Sequence, residues 1–339
     1  MDILILGATS NICKKRVFDN LNNLHHKINT IYCYDMKKMK TLRFDQYVMN
    51  DVTINNENNI VKKIKYIYGN FNVEEYSKKI KSLLHKFLII YVSVPPFCYE
   101  EIIMFFKENN NYHTLILEKP LALNYEEYLN LKPNFTENMF VIDHFLYKQD
   151  IQKIINSYQY RKINTIKIKF WYENDVEDRL GYFDNVGFFI DMFQSHYLSI
   201  LYHLIGIDKL SKLLNMEIKV NTRKQYKNYG GMNKVDTYFY VELKDDTNLY
   251  IFEGGKAMIE ENKEIEIDGI VYKINNYNNE YELYFKDIIE NNINENMISY
   301  HDIFWKITEY INSEQKNNSI LTYYNKNENI NKNLVKVYS

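Results

Sequence analysis

Apolar residues in the first half of the chain come in short runs separated by stretches of helical periodicity. Residues Asp2 to Leu6 are one such run; Gly7-Ala-Thr-Ser-Asn follows, and apolar positions then recur at helical spacing from Ile12 to about Leu24. That order predicts a strand, a tight turn and a helix. Further strands are expected at Thr30–Tyr34, Tyr66–Gly69, Phe87–Val94 and His113–Leu117, with helices at Glu74–Leu84 and Glu100–Glu108. Strands alternating with helices imply an α/β domain, a parallel sheet covered on both faces, here assigned to residues 1–143.

The second half has a different rhythm. Thr165–Tyr172, Asp236–Leu243, Leu249–Gly254 and Glu264–Val271 alternate with period two, the mark of antiparallel strands with one face buried. Val186–Gly206 reads as a long apolar helix, and helices are expected near Glu280–Asn291 and His301–Asn312. The expectation is an α+β domain on a mostly antiparallel sheet over residues 144–325, then a tail at 326–339. The asparagine-rich stretch Asn325–Asn333 reads as a loosely packed end.

Composition narrows the function classes. The 339 residues suit about two domains, and 46% hydrophobic with 25% charged residues is ordinary for a globular protein. A formal net charge of −2 argues against nucleic acid or an anionic membrane held by bulk charge. The apolar run Phe87–Pro96 falls short of the roughly 20 residues a membrane span needs. Cys13, Cys33 and Cys98 are widely spaced, show no metal-ligand pattern and suit a reducing compartment. The N-terminus lacks the basic region of a secretion signal. A cytoplasmic protein without a metal is expected.

The turn at Gly7 is the first candidate for chemistry. A strand that ends in a glycine turn and opens a helix aims backbone N–H groups and the positive end of the helix dipole at an anion. Gly7, Thr9, Ser10, Asn11 and Ile12 could cradle a dinucleotide pyrophosphate, although the full G-x-G-x-x-G pattern is missing and a plain strand–helix turn reads equally well. Asp35, just past the second strand, could accept from an adenosine ribose and repel a 2′-phosphate, or could be a turn aspartate. Lys37, Lys38 and Lys40 could instead attract that phosphate; the reading favours NAD over NADP.

Several blocks follow in a fixed order. Tyr91-Val-Ser-Val-Pro-Pro-Phe-Cys-Tyr99 precedes Glu118-Lys-Pro-Leu-Ala122, then Ile142-Asp-His-Phe-Leu-Tyr-Lys148, Gly181-Tyr-Phe-Asp-Asn-Val-Gly187 and Asp191-Met-Phe-Gln-Ser-His196. Gly255-Lys-Ala257 and a C-terminal set of Tyr281-Glu282, Asp287 and Trp305 complete them. Together they resemble the glucose-6-phosphate dehydrogenase family, along nearly the whole chain. Glu118-Lys-Pro-Leu-Ala122 also resembles the related glucose–fructose oxidoreductase and inositol dehydrogenase superfamily. That group commonly spaces its acidic residue and histidine four apart, whereas Asp191 and His196 are five apart.

The resemblance implies an N-terminal Rossmann domain and an NAD(P)-dependent oxidoreductase that moves a hydride from a sugar phosphate to the cofactor. C1 of glucose 6-phosphate, or of a modified analogue, would become a lactone. His196 would be the general base and Asp143 the carboxylate that orients it, with Lys119 contacting substrate and cofactor. A cis Lys119–Pro120 bond would re-aim the lysine. His144 and Lys148, four apart and expected on one helix face, would bind phosphate with Lys256; Asp191 and Glu173, beside Tyr172, would line the sugar pocket. Val94, Pro95, Pro96 and Glu118 would border the cofactor. A homodimer is expected. Read without the resemblance, His196 is also a plausible core histidine on an apolar helix, and the lysines plausible surface charges.

The chain departs from the family pattern at several positions. Ser10 stands for the second turn glycine and Asn11 for an aspartate; Phe145 replaces a tyrosine and Tyr147 a glycine near the phosphate. Glu261 falls where a phosphate-binding arginine is expected. These losses suggest a retained redox step on a different sugar. The alternatives are oxidation at another ring carbon, as in inositol dehydrogenases, and a non-catalytic nucleotide-binding relative.

Overall fold

The computed structural model describes residues 1–49, 60–109, 114–159, 161–174, 180–225, 236–258, 260–275, 280–290, 293, 297–318 and 322–324. Asn325–Asn333 and the expected tail lie outside them. The chain sorts into two compact units. One comprises Met1–Tyr147 with Tyr277–Ser299, the other Lys148–Asn276 with Tyr300–Ser339.

The first unit carries six strands: β1 (Asp2–Leu6), β2 (Thr30–Asp35), β3 (Ile64–Tyr68), β4 (Phe87–Val92), β5 (Thr114–Leu117) and β6 (Met139–Val141). They pair in parallel in the order β3-β2-β1-β4-β5-β6, the doubly wound order of dinucleotide-binding folds. Its helices include α1 (Phe18–Asn23), α2 (Thr41–Met49), α3 (Val73–Lys79), α4 (Tyr99–Asn109) and α5 (Tyr125–Leu131). Asn72 and Asn124 start α3 and α5 by accepting the amides of Glu75 and Glu127, each at 2.9 Å. The periodic run after Gly7 is not one regular helix: Cys13–Val17 is π-wound and only then does α1 begin. The expected helix Glu74–Leu84 shortens to α3, and its remainder tightens into a 3₁₀ turn at Lys81–Lys86.

The second unit opens with α6 (Gln149–Tyr158) and β7 (Thr165–Trp171). The predicted long helix becomes α7 (Leu180–Phe188), a π-wound stretch Phe189–Tyr197 and α8 (Leu198–Ser211). Gly187 (φ 75°) and Gly206 (φ 77°) interrupt it with left-handed backbone, which a glycine adopts without a Cβ clash. Then come β8 (Glu217–Gln225), β9 (Tyr238–Lys244), β10 (Leu249–Gly255), β11 (Asn262–Ile267) and β12 (Ile270–Lys273). The single strand expected at Glu264–Val271 is thus a hairpin. It turns at Asp268 (φ 46°) and Gly269 (φ 86°), the Asp-Gly pair that two-residue hairpin turns require. After α9 (Glu280–Ile289), which belongs to the first unit, come α10 (His301–Asn318) and strand β13 (Thr322–Tyr324) of the second. The sheet order is β12-β11-β7-β10-β9-β8-β13, antiparallel except for β7 with β10 and β8 with β13.

Helix α9 corrects the expected domain boundary. The sequence pattern places it in the second domain, yet Tyr281, Tyr284, Phe285, Ile288 and Ile289 form one apolar stripe buried in the first unit's core with Ile3, Ile31 and Tyr91. Its spacing fits a helix against a sheet, and that sheet is the parallel one. The first unit also extends to Tyr147 rather than ending at residue 143. Among the described residues no helix is long and apolar enough to cross a membrane.

Candidate active site

Strand register positions the first unit's candidate residues. Leu6 pairs with Tyr34 and with Val92, and Val92 pairs with Leu117. One residue further on, Asp35, Gly7, Ser93 and Glu118 therefore form a row along the carboxyl edge of the sheet. Leu117 pairs with Val141, so two residues further on Lys119 stands opposite Asp143. This edge is where ligands bind in open α/β sheets.

The Gly7 turn is tightly specified. Gly7 adopts φ +83°, and a Cβ there would lie 2.3 Å from the Ser93 carbonyl oxygen. Ser10 caps the helix: its hydroxyl accepts from the Cys13 amide at 3.2 Å and shares a 2.8 Å hydrogen bond with Ser93 Oγ. Helix geometry leaves the amides of Asn11 and Ile12 without an intrahelical acceptor, the groups of this turn that could meet an anion. The buried Asp35 carboxylate accepts from the Thr9 amide at 2.8 Å and from the Lys37 amide at 3.1 Å. It is a turn carboxylate at the carboxyl edge of the sheet. Val94 is buried against Gly7 and Pro96 is buried two residues on; the Pro95 carbonyl accepts from the Cys98 amide at 3.0 Å.

Lys119 and Asp143 form a buried ion pair, Nζ to Oδ2 2.7 Å, with side chains 1% and 0% exposed. Asp143 Oδ1 accepts from the Phe145 amide at 2.9 Å. The Lys119–Pro120 peptide is cis. Burial lowers the Lys119 pKa, and the Asp143 charge works against that shift. The Glu118 side chain turns into the core. Its Oε1 accepts from Tyr91 at 2.5 Å and from Tyr284 at 3.4 Å, while its carbonyl accepts from Tyr99 at 2.7 Å. Burial pushes its carboxyl up to about 7, with the Tyr91 hydrogen bond opposing. The His144 ring stacks on Tyr281 at 4.9 Å, with Nδ1 3.9 Å from Glu118 Oε2.

His144 and Lys148 do not share a helix face. His144 opens a 3₁₀ turn, His144–Tyr147, whereas Lys148 is the extended residue (φ −68°, ψ 124°) before α6. The sequence spacing hid this break, because 3₁₀ winding and a cap interrupt the four-residue repeat.

In the second unit, His196 is buried within the π-wound stretch. Asp191 accepts from the Tyr182 hydroxyl at 2.6 Å. Lys256 lies over the Tyr172 ring at 4.1 Å and beside Phe188 at 5.4 Å. Glu173 is exposed. Sequence reasoning missed Lys263, whose Nζ lies 4.5 Å from the same Tyr172 ring and pairs with Glu261. A signal was present: Lys263 has the parity of the buried Ile265 and Ile267 in β11. Glu261, which falls where the family resemblance leads one to expect an arginine, is thus paired with a neighbouring ammonium.

Comparisons with known proteins bear on the family and the fold. Family models of the glucose-6-phosphate dehydrogenase NAD binding domain and C-terminal domain match residues 4–153 and 152–241. The chain belongs to the glucose-6-phosphate dehydrogenase family. A glucose-6-phosphate 1-dehydrogenase of Borreliella burgdorferi is 26% identical over 270 residues, 71% of this chain and 56% of the relative. That of Streptococcus pneumoniae is 31% identical over 136 residues, 36% of this chain and 27% of the relative. The chain spans about half the length of the curated relatives it matches. The fold is similar to a solved glucose-6-phosphate dehydrogenase in complex with glucose-6-phosphate: TM-score 0.76, 19% identity, covering 99% of this chain and 96% of that one. It is also similar to a myo-inositol dehydrogenase from Corynebacterium glutamicum: TM-score 0.66, 10% identity, 94% and 97% covered.

Proposed function

We propose that this family member is an NAD(P)-dependent dehydrogenase that oxidises C1 of glucose 6-phosphate, or of a modified analogue, to a lactone. The observation that carries the reading is the buried Lys119–Asp143 pair on the ligand edge of the parallel sheet. Burying a charged pair costs desolvation that an apolar replacement would avoid, so its presence on this edge supports a role in chemistry. A bound nicotinamide supplies the hydride acceptor. The first-turn amides of Asn11 and Ile12 hold the pyrophosphate, and Asp35 favours NAD by repelling a 2′-phosphate. His196 takes the hydroxyl proton; Asp143 is the carboxylate that orients it, and Lys119 holds the substrate. Lys256 and Lys263, two ammonium groups on one aromatic ring, support a substrate with an anionic group.

The experiment is turnover on a panel of sugar phosphates and neutral sugars with both cofactors. His196→Asn should cut turnover by about 10²–10⁴-fold with cofactor affinity unchanged. Cofactor that binds but is reduced with no sugar would leave a non-catalytic module instead. A keto sugar product, in place of a lactone, would move the reading toward inositol dehydrogenases. A homodimer through the second unit's sheet belongs to the same proposal. Its open face carries cross-strand pairs such as Lys167–Glu266 and Lys219–Glu242 that suit a second copy. Sedimentation as a monomer would remove that element.

A further inference from the structure

The π-wound stretch Phe189–Tyr197 sets which side of the helix His196 occupies. In an α-helix, 3.6 residues per turn place residues five apart about 140° from one another. Here the Leu198 amide bonds the Phe193 carbonyl five residues back, the π-type bond. In that winding, residues five apart follow one another along one face, as residues four apart do in an α-helix. Asp191 and His196 are so spaced, and a regular helix would splay them.

A buried polar chain accompanies this winding. The Ser195 hydroxyl lies 3.0 Å from the Ile190 carbonyl, five residues back, and 3.3 Å from Gln194 Oε1. Gln194 Nε2 meets His301 Nδ1 at 3.3 Å; an amide nitrogen only donates, so the ring nitrogen accepts. Gln194, Ser195 and His301 are each 0% exposed. Back-bonding of a serine to a helix carbonyl perturbs α winding, and His301 ties the stretch to the first residue of α10.

We propose that Ser195, Gln194 and His301 are positioning residues that hold the π register, so that His196 and Asp191 present to one side. The inference rests on His196 as the base proposed above. The probe is selective ¹⁵N-histidine labelling, with His196 assigned among the 8 histidines by its loss in His196→Gln. Ser195→Ala and His301→Leu should move the His196 ring resonances and lower kcat about tenfold, with KM for the cofactor unchanged. Ser195→Thr, which keeps the hydroxyl, should restore both. Lowered kcat with an unmoved His196 signal, or an unmoved signal in both variants, overturns the proposal. A moved and rescued signal in a chain that turns over no sugar supports it and removes the dehydrogenase reading alone.

Discussion

The two candidate regions are built in different ways. The Gly7 edge is made of backbone: strand register fixes the row Asp35, Gly7, Ser93 and Glu118, and packing leaves Gly7 no room for a side chain. The His196 region is made of side chains on a helix whose winding departs from regular. Backbone sites follow from strand pairing, which parallel ladders repeat residue by residue. Side-chain sites depend on helical phase, and one extra residue per turn changes which groups face together. The first arrangement is fixed by the register of the paired strands it follows. The second is held by the few polar contacts inside it.

The sharpest way to break this comparison is to remove a charge from the edge. Lys119→Met leaves Asp143 buried without its cation and should destabilise the protein by about 3–5 kcal/mol, read from the urea midpoint. A change near zero would mean that the pair contributes nothing to the edge. Gly7→Ala should cost about 3–4 kcal/mol, combining left-handed backbone with a Cβ pressed on the Ser93 carbonyl. Gly206→Ala is its control: φ 77° and ψ 169° are a backbone that glycine alone favours, but nothing lies within 4 Å of the added Cβ, so only the backbone cost of about 1–3 kcal/mol is expected. Equal effects at the two glycines would mean that backbone conformation, and not close packing, governs the turn.

Between those two extremes stands Glu118. Its folded-state pKa is raised from 4.5 to about 7, so folding favours the neutral carboxyl. Its contribution is full below pH 4.5 and lost as pH rises through about 7, amounting to about 3 kcal/mol over that window. The stability difference between the wild type and Glu118→Gln should fall across this range and level off above it. Urea titrations at stepped pH check this; a flat difference would place the carboxylate in water.

Much of the fold was legible in the chain. Apolar runs ending at Leu6, Asp35 and Leu117 marked strands because a doubly covered parallel sheet buries both faces of each. The short strand Met139–Val141 escaped, since three residues carry no period. The hairpin at Asp268-Gly269 was hidden inside what reads as one alternating run, although the Asp-Gly pair was its signal. Among the candidate residues, Lys119 and Asp143 were visible as motif members, but their 2.7 Å contact needed the pairing of β5 with β6. Lys263 was overlooked because its role depends on which face of β11 meets Tyr172.

By itself, the sequence determined the alternation of strands and helices, the glycine turn and the residue types available for chemistry. Local spacing and side-chain chemistry act over a few residues, and these features need no more. Only the tertiary structure decided that α9 returns to the first unit's core, that Glu118 faces Tyr91 and Tyr284, and that π winding sets the phase of His196. Each of those depends on partners far along the chain, whose burial and hydrogen bonds outweigh the small differences in local preference.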